Sequence, residues 1–167
     1  MGFDDAKAVA VGNGTTKPAP LESRESLQLL PGVARSLAHW HAMVAKGDLR
    51  QLGSILHPEA VFRSPVAHSP YVSAPVVQAF LTAASQVFCD FVYHRELAGA
   101  DGTSVVLEFS AQVNGKLLKG IDLIQFDTDG RIVDFEVMVR PMSGLQALAD
   151  EMGKRMAPFL AVAKAPR

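Results

Sequence analysis

The sequence is short of several things at once. It holds a single cysteine, Cys89, among 167 residues. One cysteine makes neither an intramolecular disulfide framework nor a cysteine metal cage. Flanked by Phe88 and Phe91, it reads as a small buried hydrophobe rather than a nucleophile. Five histidines are present, but no two stand at a ligand spacing such as HxxxH and none has a carboxylate motif beside it. No metal is expected. Charge of either sign is scarce: 16 Lys and Arg face 17 Asp and Glu, a formal net charge of −1. That leaves no basic footprint for nucleic acid. No glycine-rich phosphate loop follows a strand and no dinucleotide fingerprint occurs, so no cofactor is implied. No apolar run is long enough to span a membrane. The N-terminus carries Asp4 and Asp5 and no apolar h-region, so no signal peptide is read there. A soluble, cytoplasmic protein is the expectation.

What is present is a globular composition, 49% hydrophobic and 20% charged, in a chain of one-domain length. Residues 1–26 are rich in Gly, Ala, Thr, Pro and Lys without periodicity and read as a flexible tail. The domain is expected over 27–141, followed by a C-terminal amphipathic helix and tail over 142–167. Pro31 suits the first turn of a helix. Val33, Leu37, Trp40, Val44 and Ala45 then recur at helical spacing to about Lys46. Gly47 ends that helix, and Asp48 caps a short second one from Leu49 to Ile55. Ala60–Arg63 reads as a short strand, broken at Ser64-Pro65. Val66–Val72 reads as a loop holding His68 and Tyr71. Ser73 is the expected cap of a third helix with Val76, Val77, Phe80, Leu81, Ala84 and Val87 on its apolar face.

The period then changes to two. Asp90–Leu97, Ser104–Val113, Lys116–Phe126 and Arg131–Val139 read as four antiparallel strands. Asn114-Gly115 is a two-residue hairpin signal. Pro141 stops the last strand, and Ser143 is expected to cap a helix with Leu145, Leu148, Met152, Met156 and Phe159 or Leu160 on one face. Helices first and strands after indicate an α+β fold.

One residue stands out in the third of these strands. Asp122 is a carboxylate between apolar neighbours, and an unpaired charge there costs several kcal/mol unless it is bonded or neutralised. Alternation places Gly120, Ile124 and Phe126 on its face. Ile121 and Leu123 then face outward, yet both are apolar, so the strand is covered on both faces. One cover is the helices; the other is a partner subunit or, alternatively, the C-terminal helix. In the next strand Val133, Phe135, Val137 and Val139 belong to the core face, and Asp134, Glu136, Met138 and Arg140 to the outer one.

The order of elements, with Trp40, Lys46-Gly47-Asp48-Leu49, Leu56-His57-Pro58-Glu59-Ala60-Val61-Phe62-Arg63-Ser64-Pro65, Gly120-Ile121-Asp122 and Asp129-Gly130-Arg131-Ile132-Val133, resembles the nuclear transport factor 2-like (NTF2-like) superfamily in its SnoaL-like branch, over roughly residues 33–140. The resemblance implies a cone-shaped fold, with a strongly curved, mostly antiparallel sheet wrapped around three N-terminal helices. It also implies an apolar cavity and a homodimer through the outer face of the sheet. It places Asp122 where ketosteroid isomerase keeps a protonated aspartic acid, and Trp40 where that enzyme has its oxyanion-hole tyrosine. Trp40 is accordingly the expected donor to Asp122. The isomerase's general-base aspartate falls on Ser64, and a serine without a base does not abstract a carbon-bound proton. The Asp–Arg–Asp set that the epoxide hydrolases of this fold need has no counterpart at inward strand positions.

The candidate catalytic residues are therefore Asp122 with His68 or Tyr71, the last two on the loop that would rim the cavity. Candidate ligand-binding residues are Trp40, Phe62, Phe80, Tyr93, Leu107, Phe109, Phe135 and Val137, with Ala111, Ile124 and Val139 completing the wall. Either Tyr93 or His94 reaches the cavity mouth, since adjacent strand residues point to opposite faces. His39 and His41 flank Trp40, so at most one approaches the cavity, and partly buried packing is the expected role of either. Such a cavity suits a small, mostly hydrophobic molecule oriented by one or two polar groups. The alternatives are a cofactor-independent lyase, isomerase or cyclase, and a non-catalytic structural or accessory dimer.

Overall fold

The structure is a computed structural model that describes residues 28–163. The tail expected over 1–26, residue 27 and the last four residues lie outside the described residues, as does the side chain of Leu160. Helix α1 spans Pro31–Lys46 and buries Val33, Leu37, Trp40 and Met43, a stripe recurring every three or four residues. It ends at Gly47, whose left-handed backbone returns its N–H to the Val44 carbonyl.

The second helix is only a single 3₁₀ turn, Leu52–Ile55. Asp48 turns its carboxylate onto the Arg50 backbone N–H and guanidinium, so the chain before Leu52 is held as a turn. Strand β1 runs over Leu56–Arg63, longer than the expected Ala60–Arg63. It pairs in parallel with the last strand, Ile132–Arg140, and its register shifts between Leu56 and Val61. That irregularity accommodates Pro58, which has no N–H for a ladder. Tyr71–Val72, expected as loop, forms β2 against β1.

Helix α2 spans Ala74–Val87 and buries Val77, Phe80, Leu81 and Val87. Ser73 sets its start through the backbone: its carbonyl accepts the Val77 N–H, and its side chain makes no cap bond. Strands β3 (Cys89–Ala98), β4 (Ser104–Val113), β5 (Lys116–Phe126) and β6 (Ile132–Arg140) follow. Asn114 and Gly115 both take positive φ (49° and 73°), the turn that matches the twist of a tight hairpin. Helix α3 spans Met142–Ala163, so Ser143 lies inside its first turn and is not its cap.

The six strands form one curled, unclosed sheet in the order β2-β1-β6-β5-β4-β3. The fold is NTF2-like α+β, with two α-helices and a 3₁₀ turn where three helices were expected before the main strands. Helix α3 lies on the concave side. Gly144 sits against Leu118, an inward residue of β5, and Leu148 and Met152 reach the same interior as Asp122. The alternative in which this helix covers the outer face is thereby corrected. Outside, Val92, Leu97 and Met138 are about half exposed and Val106, Ile121 and Leu123 partly so.

Cys89 is exposed, contrary to expectation. It pairs with Gln112, an outward position of β4, while Phe88 and Phe91 turn inward onto Phe109. Among the described residues no helix is long and apolar enough to cross a membrane.

Candidate functional site

Two packed clusters flank the interior. One gathers Trp40, Phe62, Phe80, Phe126 and Phe135; the other gathers Val87, Phe109, Leu118 and Leu148. Between them lies a cavity of about 580 Å³, within the about 300–1,000 Å³ range of small-molecule sites. Its wall is mostly apolar. Phe62, Phe80, Phe109, Phe135 and Val137 line it, with Trp40, Tyr71, Tyr93 and Asp122. Leu107 is fully buried but is packed core and does not line the cavity; Ala111, Ile124 and Val139 are likewise absent from the wall. Helices α2 and α3 add Leu81, Ala84, Phe88, Leu148, Met152 and Met156.

Asp122 sits mid-strand in β5, opposite Leu107 of β4 and Val137 of β6. It is 5% exposed and is the one buried charged residue described. The expected bond from Trp40 to Asp122 is replaced by a relay. Trp40 Nε1 donates to Tyr93 Oη at 3.0 Å, and Tyr93 Oη donates to Asp122 Oδ2 at 2.8 Å. An indole is donor only, whereas a phenol both accepts and donates, so Tyr93 is the residue type that can stand between the two. Trp40 is held from behind by Phe135, edge-on at 5.3 Å.

Strand β3 supplies Tyr93 because its parity is now fixed. Tyr93 pairs with inward Phe109, while His94 faces outward and meets Ser110 Oγ at 2.7 Å. The β3–β4 register then shifts between Tyr93 and Glu96. This bulge returns Glu96 to the inner face three residues after Tyr93. Period-two reasoning could not find it. Glu96 Oε1 lies 2.9 Å from His41 Nε2. The approach lacks the alignment of a hydrogen bond, and among the described residues Nε2 has no other partner. His41 lines the cavity and stands edge-on to Tyr93 at 5.3 Å. Neither His41 nor Glu96 was a sequence candidate.

Burial pushes the Asp122 carboxyl up to about 7, opposed by the Tyr93 hydrogen bond, which favours the anion. The Tyr93 phenol is pushed well above its ordinary value, chiefly by burial and then by the charge of Asp122. Tyr93 therefore stays a donor while Asp122 exchanges its proton near neutrality. Among the described residues Asp122 Oδ1 accepts no hydrogen bond, yet it is not sealed off, so it opens onto the cavity. In its protonated form that oxygen can donate to a ligand oxygen; ionised, it can take a proton.

Of the two loop candidates, Tyr71 lines the cavity, its ring 4.2 Å from that of Phe80. His68 is exposed on the loop and does not line the cavity. Ser64 lines it, with its Oγ accepting the Val66 N–H at 3.2 Å. Asp122 is the one carboxylate on the wall among the described residues. No group of three or more His, Cys, Asp or Glu side chains suited to a metal is gathered among them.

Residues 37–135 match the SnoaL-like domain family. The chain belongs to this family. A crystal structure of a steroid delta-isomerase from Pseudomonas aeruginosa is 63% identical to this SnoaL-like chain, covering 81% of it and 99% of that protein, with a TM-score of 0.79. An uncharacterized protein with a cystatin-like fold from Silicibacter pomeroyi is 32% identical, covering 81% and 97% of the two chains, with a TM-score of 0.73. The epoxide hydrolase/cyclase-like enzyme SalBIII, which acts in pyran ring formation in salinomycin, shares the fold alone, at 17% identity, coverage of 71% and 97%, and a TM-score of 0.57. No curated relative matches this SnoaL-like chain.

Proposed function

We propose that this SnoaL-like protein binds a small, mostly hydrophobic molecule through one oxygen function placed against Asp122. The observation that carries this reading is Asp122 Oδ1, which accepts no hydrogen bond among the described residues and opens onto a mostly apolar cavity of about 580 Å³. The Trp40–Tyr93 relay fixes the other oxygen, so the carboxyl is oriented before a ligand arrives. Trp40 is the single tryptophan of the chain and belongs to the relay, so its emission reports the site directly. Titrating alicyclic ketones such as 2-decalone should change that emission saturably, and Asp122→Ala should weaken binding at least tenfold. Absence of any saturable change, together with an unmoved melting temperature, would remove this reading.

A second reading is favoured by one observation, the Asp122 carboxyl near 7. A group poised there suits general acid–base work at neutral pH. It would serve a cofactor-independent isomerase, lyase or cyclase in which Asp122 acts with Tyr71, the loop candidate on the cavity wall. The relative described as a steroid delta-isomerase supports the same class of chemistry. Ser64 weighs against steroid isomerisation by the two-carboxylate route.

The outer face of the sheet is proposed to pair with a second copy of this chain. Its support is the half-exposed apolar set Val92, Leu97 and Met138 beside Ile121 and Leu123, too apolar for a solvated sheet face.

A further inference from the structure

The cavity wall and the protein surface share five residues. Ala45 and Gly47 at the end of α1, Val66 on the loop after β1, Ser85 on α2 and Gly153 on α3 line the cavity and are also exposed. They mark where its space runs out to solvent. All but Val66 are Ala, Gly or Ser, so little side chain obstructs the rim.

Gly153 is the rim residue that the fold does not ask for. It sits midway along α3, in a helix interior, where glycine is the least favourable residue after proline. Leu148, Ala149, Met152 and Met156 line the cavity from the same helix, at the spacing of one helical face. Gly153 is a gap in that apolar stripe. The other described glycines either take a left-handed φ or have an atom within 4 Å of where a Cβ would stand. Gly47 is of the first kind, with φ 63° where α1 ends. At Gly153 the backbone is not left-handed, and a Cβ would meet nothing within 4 Å. Neither backbone nor packing accounts for the glycine, and the space it leaves adjoins both cavity and solvent. Leu148 and Met156, each 4% exposed, anchor α3 on either side, so the gap belongs to the docked helix.

We propose that the gap at Gly153 is the portal through which the small apolar ligand enters and leaves the cavity. This rests on the cavity-binding reading above. A portal residue governs rates rather than affinity. A side chain placed there raises the barrier to passage and leaves the free and bound states as they were, so entry and exit slow by the same factor.

The test follows Trp40 emission by stopped flow as the whole protein is mixed with 2-decalone. Gly153→Phe fills an exposed, open position, so the variant should fold. Its association and dissociation rates should both fall by about tenfold or more, with the dissociation constant within about twofold of the wild type's. Gly153→Ala, which adds one methyl, should lie between the two proteins in both rates. Lys154→Phe puts the same ring one residue further on, outside the cavity wall, and should keep the wild-type rates. Three results would each overturn the proposal while the cavity reading stands. One is unchanged rates in Gly153→Phe, which would send the ligand past another part of the rim. Another is an equal slowing in Lys154→Phe. The third is an affinity lost through faster dissociation in Gly153→Phe, which would put the new ring inside the cavity. If 2-decalone perturbs neither Trp40 emission nor the melting temperature of the wild type, the cavity reading and this proposal fall together.

Discussion

Tyr93 Oη lies 2.8 Å from Asp122 Oδ2 and is the only hydrogen-bond donor that reaches this carboxyl among the described residues. The bond links β3 to β5 across β4 and opposes the burial that raises the proton affinity of the carboxyl. One donor is too few to offset full burial, and the carboxyl consequently titrates near 7 rather than near its ordinary value.

The first prediction concerns stability against pH. In the unfolded chain Asp122 ionises near its ordinary value of about 3.9. In the folded protein it holds its proton to about 7. The folded-state value is raised, so this group's contribution is fully present below about pH 4 and is lost as pH rises to about 7. Three pH units correspond to a loss on the order of 4 kcal/mol. Asp122→Asn keeps an acceptor for Tyr93 and cannot ionise. Urea denaturation from pH 4 to pH 8 should show the wild type losing stability relative to this variant over that window. A variant that grows relatively weaker as pH rises would mean that an ionised, bonded carboxylate holds the fold.

Tyr93→Phe should separate the two ends of the relay. Trp40, 4% exposed, would be left with a buried N–H, at a cost of about 1–3 kcal/mol. Asp122 would lose the one bond that favours its anion, so its titration should move further up. Both effects are measurable in one protein: the urea midpoint reports the first, and the pH midpoint of Trp40 emission the second. An unchanged emission midpoint would show that the phenol does not control the carboxyl.

Much of this was legible in the sequence, and the limits have definite causes. Strands β4 and β5 were bounded to the residue because both are rich in β-branched and apolar residues and Asn114-Gly115 between them admits one tight turn. Asp122 was legible as a buried carboxylate because its strand neighbours Ile121, Leu123 and Ile124 are all apolar. Its partner was not, because Tyr93 reaches it only after β3 is docked on β4, and the alternation of β3 is spoiled by consecutive apolar Phe91 and Val92. Glu96 was invisible: a bulge inverts parity, and nothing local announces it. His41 sits one residue past Trp40, about 100° around the helix, at the edge of the buried stripe, where helical spacing alone does not decide between cavity and solvent. The cap assignments at Ser73 and Ser143 failed because backbone geometry, not the hydroxyl, starts both helices.

Gly120 should prove intolerant of any side chain. A Cβ there would overlap the Phe109 ring and come within 2.7 Å of the Met138 carbonyl oxygen. Phe109 is fully buried between Phe88, Phe91 and Tyr93 and cannot swing aside. Gly120→Ala is expected to cost about 1–3 kcal/mol by overpacking. It should also reduce ligand affinity, because Phe109 is part of the cavity wall. A urea midpoint equal to the wild type's would show that the ring relaxes freely.

The outer face of the sheet gives a prediction about assembly. If a second copy covers Ile121, Leu123 and Met138, light scattering at micromolar concentration should report a dimer. Leu123→Lys should shift it to monomer without loss of helix content. A monomeric wild type would sink the paired-sheet proposal.

Ser64 offers the sharpest test of what the cavity lacks. It lines the same space as Asp122, and no second carboxylate does so among the described residues. With one carboxyl near 7, the site can protonate or polarise an oxygen, but a carbon-bound proton needs a separate base in reach. Ser64→Asp would supply one. The introduced carboxylate and Asp122 would face each other across an apolar interior, so like charge should keep Asp122 protonated while the new group, nearer the exposed loop, ionises. Isomerisation of a β,γ-unsaturated cyclic ketone to its conjugated isomer, followed by enone absorbance, should then rise by about 10²–10⁴-fold over the wild type, the usual worth of a positioned general base. Adding Asp122→Asn to this variant should lower the rate again and flatten its dependence on pH near 7. If the wild type already isomerises such ketones rapidly and Ser64→Asp leaves the rate unchanged, the base lies elsewhere on the wall, and His41 becomes the first residue to replace.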